Sequence, residues 1–194
     1  QLKAGYNVQI ATEGQYTLAY GLFSNTTDTR TLIPFLDEIE QNFFELPKHI
    51  VADAGYGSEQ NYDDIITKRK REPLITYSMY LKEQKKKYKQ NKFNISNCKY
   101  DKETDTYTCP NQQKLIYKYR SVRTDKNGFK REFKIYECEN CTGCPFRSKC
   151  TKAKEGNHRK LMVNKKWEQQ KEYVRMKLSD EKTSSIYRQR NTDV

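Results

Sequence analysis

The feature that most constrains this chain is a break in its own chemistry after Tyr80. Residues 1–80 hold 20 of the 36 Leu, Ile, Val and Phe residues, with 7 Lys and Arg against 11 Asp and Glu. That is an ordinary core-forming composition with a net charge of -4. Residues 81–194 hold the other 16, with 30 Lys and Arg against 14 acids, a net charge of +16, and all six cysteines. The first part can bury a core. The second is too poor in apolar residues to fold by burial alone and needs another source of order. So basic a segment points to a polyanionic partner, and we expect nucleic acid. Fifteen Tyr and eight Phe argue against a disordered chain. No apolar run approaches about 18 residues, which excludes a helical membrane span. The chain opens on neither Met nor a signal-peptide pattern, so a segment of a longer reading frame is expected.

The first part reads as α/β. Tyr6, Val8 and Ile10 alternate with polar residues, as in a half-buried strand, and a turn at Gly14-Gln15 leads into a second strand over 17–23. Leu32, Leu36, Ile39 and Phe43 form a helical stripe. Pro34 fits only in a first turn, so the helix starts with Thr31 as its cap. His49–Ala52 is a short buried strand, which makes strand, helix, strand a parallel βαβ crossover. Ser58 caps a helix to about Arg71, and residues 74–77 form another strand. In the second part, 82–92 is an exposed basic run. Residues 98–136 suggest short antiparallel strands with a turn at 126–128, and helices follow over 165–178 and from about Asp180.

The sharpest local feature is Val51-Ala-Asp53-Ala-Gly55-Tyr56-Gly57-Ser58. An acid at the carboxyl end of a buried parallel strand, followed by a glycine turn, sits where α/β sheets place their sites. With no neighbouring cation in the sequence, the Asp53 carboxylate suits a hard ion such as Mg²⁺. The other reading is a turn Asp that caps the next helix, and one carboxylate cannot by itself hold a catalytic metal.

The cysteines form a second cluster. Cys138-x2-Cys141-x2-Cys144-x5-Cys150 packs four thiols into 13 residues, with Cys98 and Cys109 earlier. This density suits tetrahedral zinc, with Cys109 able to replace one member, and a metal would explain how so polar a segment folds. Metal-free thiols, disulfides and an iron–sulfur site remain alternatives. His158 reads as a surface residue in the turn over 154–157, with a ligand role as its alternative, and His49 is given no role.

Five blocks in order carry a resemblance: Gly5-Tyr-Asn-Val-Gln-Ile10, Asn25-Thr-Thr-Asp28, Thr31-Leu-Ile-Pro34, Val51-Ala-Asp-Ala-Gly-Tyr56 and Tyr187-Arg-Gln-Arg190. Together they resemble a bacterial insertion-sequence transposase of the DDE class, along essentially the whole chain. The resemblance implies an α/β, RNase H-like mixed sheet with flanking helices, interrupted by a small Cys-rich, β-containing insertion. Residues 1–80 would be the first part of the core, 81–163 the insertion, and 164–194 a helical return. It further implies three acids holding Mg²⁺ or Mn²⁺ for cleavage and transfer of DNA strands, in a bacterial cytoplasmic, nucleoid-associated protein that works as a homo-oligomer.

Asp53 matches the second acid; the first is expected upstream of Gln1 and the third at or just after Val194. Glu13 and Asp193 match neither, and the chain alone is expected to be inactive. Asp28 reads as a loop-ordering residue or as a contributor to the site. Tyr187 and Arg190 match a DNA-contacting pair, and Lys85, Lys86 and Lys87 are further candidates for DNA phosphates. The alternative is a non-catalytic, zinc-stapled DNA-binding or scaffold module. A general metal-dependent nuclease is weaker, for want of a second carboxylate.

Overall fold

The computed structural model describes residues 5–192. It is mixed α/β and divides into two compact units, residues 1–80 with 166–194, and residues 81–165.

In the first unit β1 (Asn7–Glu13) and β2 (Tyr16–Phe23) form an antiparallel hairpin. Its turn places Gly14 and Gln15 at φ of 55° and 70°, the left-handed pair that a tight two-residue hairpin loop demands. The strand is where its alternation predicts, but the face is reversed. Val8 and Ile10 point outward at 54% and 56% exposure with Tyr20 and Leu22, while Gln9 is 3% exposed. Polar partners waiting on the inner side, described below, decide the register.

Helix α1 (Leu32–Asn42) buries Leu32, Phe35, Leu36 and Ile39, the inward stripe of its sequence. Phe43 falls just past the helix and stays half exposed. Thr31 is indeed the cap position but makes no side-chain capping bond; its hydroxyl donates instead to the Asp28 carbonyl. The parallel pair also differs from expectation. β3 (His49–Ala52) pairs with β4 (Glu72–Ile75), not with β2, so the connection that joins paired parallel strands runs through α2 (Glu59–Asp63). Ser58 caps that helix by accepting from the Asn61 N–H, and a wider π-turn over 64–68 ends it.

Helices α6 (Lys165–Ser179) and α7 (Glu181–Gln189) complete this unit. Trp167 stacks on buried Tyr62 at 5.6 Å, and Val174 is buried with Ile65 and Ile75. Lys177 donates to Glu72 at 2.6 Å, which ties α6 to β4.

The second unit opens with two short exposed helices, α3 (Tyr80–Gln84) and α4 (Lys86–Lys89). A five-stranded antiparallel sheet follows in chain order: β5 (Lys99–Asp101), β6 (Thr106–Thr108), β7 (Lys114–Thr124), β8 (Lys130–Cys138) and β9 (Lys160–Val163). A single turn, α5 (Arg147–Cys150), lies in the loop between β8 and β9. Leu115, Tyr136, Leu161 and Val163 are buried on one face, and Tyr100, Tyr107, Tyr136 and Tyr117 follow one another ring against ring. Asp105 accepts from Tyr100, Tyr136 and Lys134 at 2.6, 2.7 and 2.8 Å. Tyrosines around one carboxylate thus take the place that aliphatic residues hold in a more apolar sheet. Among the described residues no helix is long and apolar enough to cross a membrane.

A candidate acidic site at the carboxyl end of the parallel pair

β3 runs straight into Asp53, which leaves the strand in extended conformation and caps a 3-10 turn over Ala54–Tyr56. One carboxylate oxygen, Oδ1, accepts from the Gly55 N–H at 2.7 Å. That capping bond is a single one and leaves the rest of this exposed carboxylate available.

Asp28 meets it from the other side. It begins the short 3-10 turn ahead of α1, and Asn7 Nδ2 donates to its Oδ1 at 2.9 Å. Gln9 lies 3.5 Å from the same oxygen, donates to Asn7 Oδ1 at 2.6 Å, and accepts from the Tyr56 hydroxyl through its carbonyl oxygen. This explains the reversed face of β1: Asn7 and Gln9 point inward because the turns of Asp28 and Asp53 present partners there. The Asn61 amide holds those turns together, donating to the Thr29 carbonyl at 3.2 Å and the Tyr56 carbonyl at 2.7 Å.

Between the two acids stands Gly55. A Cβ there would lie 2.9 Å from Asp28 Oδ2 and 2.9 Å from Asp53 Oδ1. Two carboxylates thus converge on a point that only glycine leaves open. The local field is negative, and Tyr56 reports it. Burial, then Asp28, then Asp53 push its hydroxyl up to about 12. Carboxylate oxygens are the donors that a hard divalent cation of the Mg²⁺ or Mn²⁺ kind takes, but no third Asp, Glu, His or Cys among the described residues joins these two to complete a metal-holding group.

Tyr187 and Arg190 come to the same end of the sheet. The Tyr187 hydroxyl lies 3.2 Å from Thr76 Oγ1, one residue past β4, and the Arg190 guanidinium sits 4.8 Å from the Tyr187 ring. Ala52 pairs with Ile75, so Asp53 and Thr76 leave adjacent strands side by side. The close approach is enforced by Gly57, where a Cβ would fall 2.1 Å from the Thr76 carbonyl oxygen. Lys85, Lys86 and Lys87 belong to the other unit and lie exposed around α4. Glu13 ends β1 away from the cradle, and Asp193 lies outside the described residues.

The cysteines do not meet the expectation of a zinc centre. Cys109, Cys138, Cys141, Cys144 and Cys150 line one small pocket, yet no group of three or more Cys, His, Asp or Glu side chains among the described residues is placed to hold a metal ion. All six are free thiols. A cation already occupies the cluster: Arg159 donates from Nη1 to Cys150 Sγ at 3.1 Å and from Nη2 to the Phe93 carbonyl, while its backbone N–H points to Cys141 Sγ. Burial, and then Cys141, push the Cys138 thiol up to about 12, which favours the neutral thiol. His158 is no loose surface residue, since its Nδ1 accepts from the Cys141 N–H at 3.1 Å.

Sequence reasoning passed over Asn7, Gln9, Tyr56 and Asn61. The signal was present in Asn7-x-Gln9, where two amides share the face opposite to Val8 and Ile10 on a short strand.

Comparison with known families bears on the same assignment. Residues 108–194 match the family model described as a transposase DDE domain. The match spans somewhat less than half of the chain and supports its reading as a fragment of a DDE transposase. Asp28 and Asp53 lie before the matched span, whereas β7, β8, β9, five of the six cysteines, Tyr187 and Arg190 lie within it. No curated protein and no solved structure matches the chain.

Proposed function

We propose that this chain is the segment of a DDE transposase that carries one of its catalytic acids, Asp53, and that it binds DNA through its basic residues. In this reading the first unit is part of an RNase H-like core and residues 81–165 are an insertion in it. The observation that carries the reading is the convergence of Asp53 and Asp28 on Gly55, at the carboxyl end of β3 and beside the Tyr187–Arg190 pair.

Asp53 and Asp28 would hold a Mg²⁺ or Mn²⁺ ion. Bound there, the ion supplies Lewis-acid stabilisation of charge at a DNA phosphodiester. The protein's own part is positional. The Gly55 N–H fixes one oxygen of Asp53, Asn7 orients Asp28, and the Gln9–Tyr56 bond braces the wall between them. Arg190, flat against Tyr187, offers a planar fork suited to phosphate. Active assembly on two DNA ends calls for more than one copy, so a homo-oligomer is part of the proposal.

The test is DNA cleavage by the intact transposase carrying Asp53→Asn. Loss of Mg²⁺-dependent cleavage with DNA binding retained is the expected result. Cleavage at the wild-type rate would remove Asp53 from the chemistry.

A further inference from the structure

The second unit contains a feature that the acidic site leaves unexplained. Strand β9 pairs only with Lys134–Glu137 of β8, and β6 pairs only with Lys114 and Leu115 of β7. Residues 121–124 and 130–133 therefore pair with each other and, among the described residues, with no third strand. They form a two-stranded ribbon that runs on past the part of the sheet paired with other strands.

Its tip is well ordered. Asp125 Oδ1 accepts from the N–H groups of Asn127 and Phe129, the Asp125 N–H donates to the Phe129 carbonyl, and Gly128 takes the left-handed φ of 82° that closes the turn. Such a ribbon would lose little freedom on docking.

Its charge is one-sided. Residues 118–134 hold seven Lys and Arg against Asp125 and Glu132. Arg120 pairs with Glu132 and Arg131 with Asp125, whereas Lys118, Arg123, Lys126 and Lys130 have no carboxylate within ion-pair distance among the described residues. All four are exposed. Lys118 stands in the bulge between Tyr117 and Tyr119. Arg123 is held without an acid, its Nη2 3.1 Å from Met162 Sδ and its guanidinium 5.5 Å from the Phe133 ring. Tyr119 and Val122 beside them are 50% and 54% exposed. A preordered, cationic ribbon with exposed apolar side chains is unusual for a surface that meets only water.

We propose that this β7–β8 ribbon is a docking element for double-stranded DNA, seated in the major groove with Lys118, Arg123, Lys126 and Lys130 on phosphates. A two-stranded ribbon fits the major groove of B-DNA, about 12 Å wide. The major groove of an RNA duplex is too deep and narrow to admit it. The inference rests on the DNA-binding reading above and adds where duplex is gripped.

The experiment measures binding of fluorescent duplexes to residues 1–194 as a function of salt. Wild type is compared with the Lys118→Gln, Arg123→Gln, Lys126→Gln, Lys130→Gln variant, whose fold is verified by circular dichroism. The slope of log affinity against log salt should fall by about 3 to 4, at roughly 0.9 for each phosphate that is no longer neutralised. In wild type, acylation of Lys126 and Lys130 should be suppressed by duplex DNA and not by the same sequence as duplex RNA; this readout needs no variant. An unchanged slope together with unprotected lysines overturns the ribbon while leaving DNA binding intact. Failure of wild type to bind duplex DNA overturns both. Equal protection by RNA duplex or by an acidic polypeptide overturns the major-groove assignment.

Discussion

Asp28 and Asp53 reach one point from two different turns: an oxygen of each lies 2.9 Å from where a Cβ on Gly55 would stand. Neither acid has an ion-pair partner among the described residues; hydrogen bonds from Asn7 and Gln9 reach Asp28, and one from the Gly55 N–H reaches Asp53. The turns that carry them are held in place through Asn61 and Gln9. In the proposed reading a divalent ion would be held between them.

Removing one of the two acids should therefore weaken ion binding without unfolding the unit. We expect Asp28→Asn to lower Mn²⁺ affinity by about tenfold or more, the range seen when residues that support a metal site are removed. Electron paramagnetic resonance titration of free Mn²⁺ measures it. Gly55→Ala should do the same by pushing the two oxygens apart. Unaltered Mn²⁺ binding in both variants would show that the cradle is not where the ion sits.

Tyr56 should act as a reporter of the site's charge. Its hydroxyl is raised to about 12 by burial and by Asp28 and Asp53. Asp28→Asn, Asp53→Asn or saturating Mg²⁺ should each bring it down toward the ordinary value near 10. Because the folded value lies above the unfolded one, the stability linked to this proton is fully present below about pH 10. It is lost as pH rises toward about 12. Nuclear magnetic resonance of ring-labelled tyrosine, with Tyr56→Phe for assignment, follows the titration. A Tyr56 indifferent to all three changes would contradict the electrostatic picture.

Much of this architecture can be read from the sequence. Pro34, Ser58 and Asp180 mark helix starts by local chemistry, and Gly14-Gln15 and Asn127-Gly128 mark hairpins, because caps and turns depend on near neighbours. The face of β1 could not be read that way. Val8 and Ile10 obey the usual alternation, yet the inward side is chosen by Gln9 and Asn7, whose partners lie 19 to 47 residues away. The same holds for the parallel pairing of β3 with β4 in place of β2. For the cysteines, the dense Cys-x2-Cys spacing signals thiols brought together, and five of them do line one pocket; Arg159, which enters among them, lies nine positions past the last and carries no such signal.

Gly57 offers a steric test of the sheet end. Its φ of -71° suits any residue, so the constraint is space alone. A Cβ would stand 2.1 Å from the Thr76 carbonyl oxygen and 2.7 Å from Tyr77 Cα. Gly57→Ala should force the strands apart and destabilise the first unit by roughly 1–3 kcal/mol, the usual range for overpacking. Denaturant unfolding measures it, and a wild-type midpoint would contradict the packing described.

Asp105 gathers three hydrogen-bond donors within the second unit. Burial opposes its charge, but hydrogen bonds from Lys134, Tyr100 and Tyr136 hold the carboxyl far below the usual range. A depressed folded value gives stability that is present above about pH 4, the ordinary carboxylate value, and lost as pH falls below it. Asp105→Ala should remove this pH dependence. It should also destabilise the unit by about 1–3 kcal/mol, since it strands the hydroxyl of buried Tyr136. Acid titration monitored by tyrosine fluorescence distinguishes the two proteins.

Mn²⁺ titration of ¹³C-labelled protein, read at the Asp side-chain carboxyl signals, shows most directly where a divalent ion sits. Trace Mn²⁺ should broaden Asp53 and Asp28 first, ahead of Asp105, Asp125 and Asp180, and Mg²⁺ in excess should restore them. Broadening spread evenly over the surface acids, with Asp53 and Asp28 unexceptional, would contradict an ion site between them.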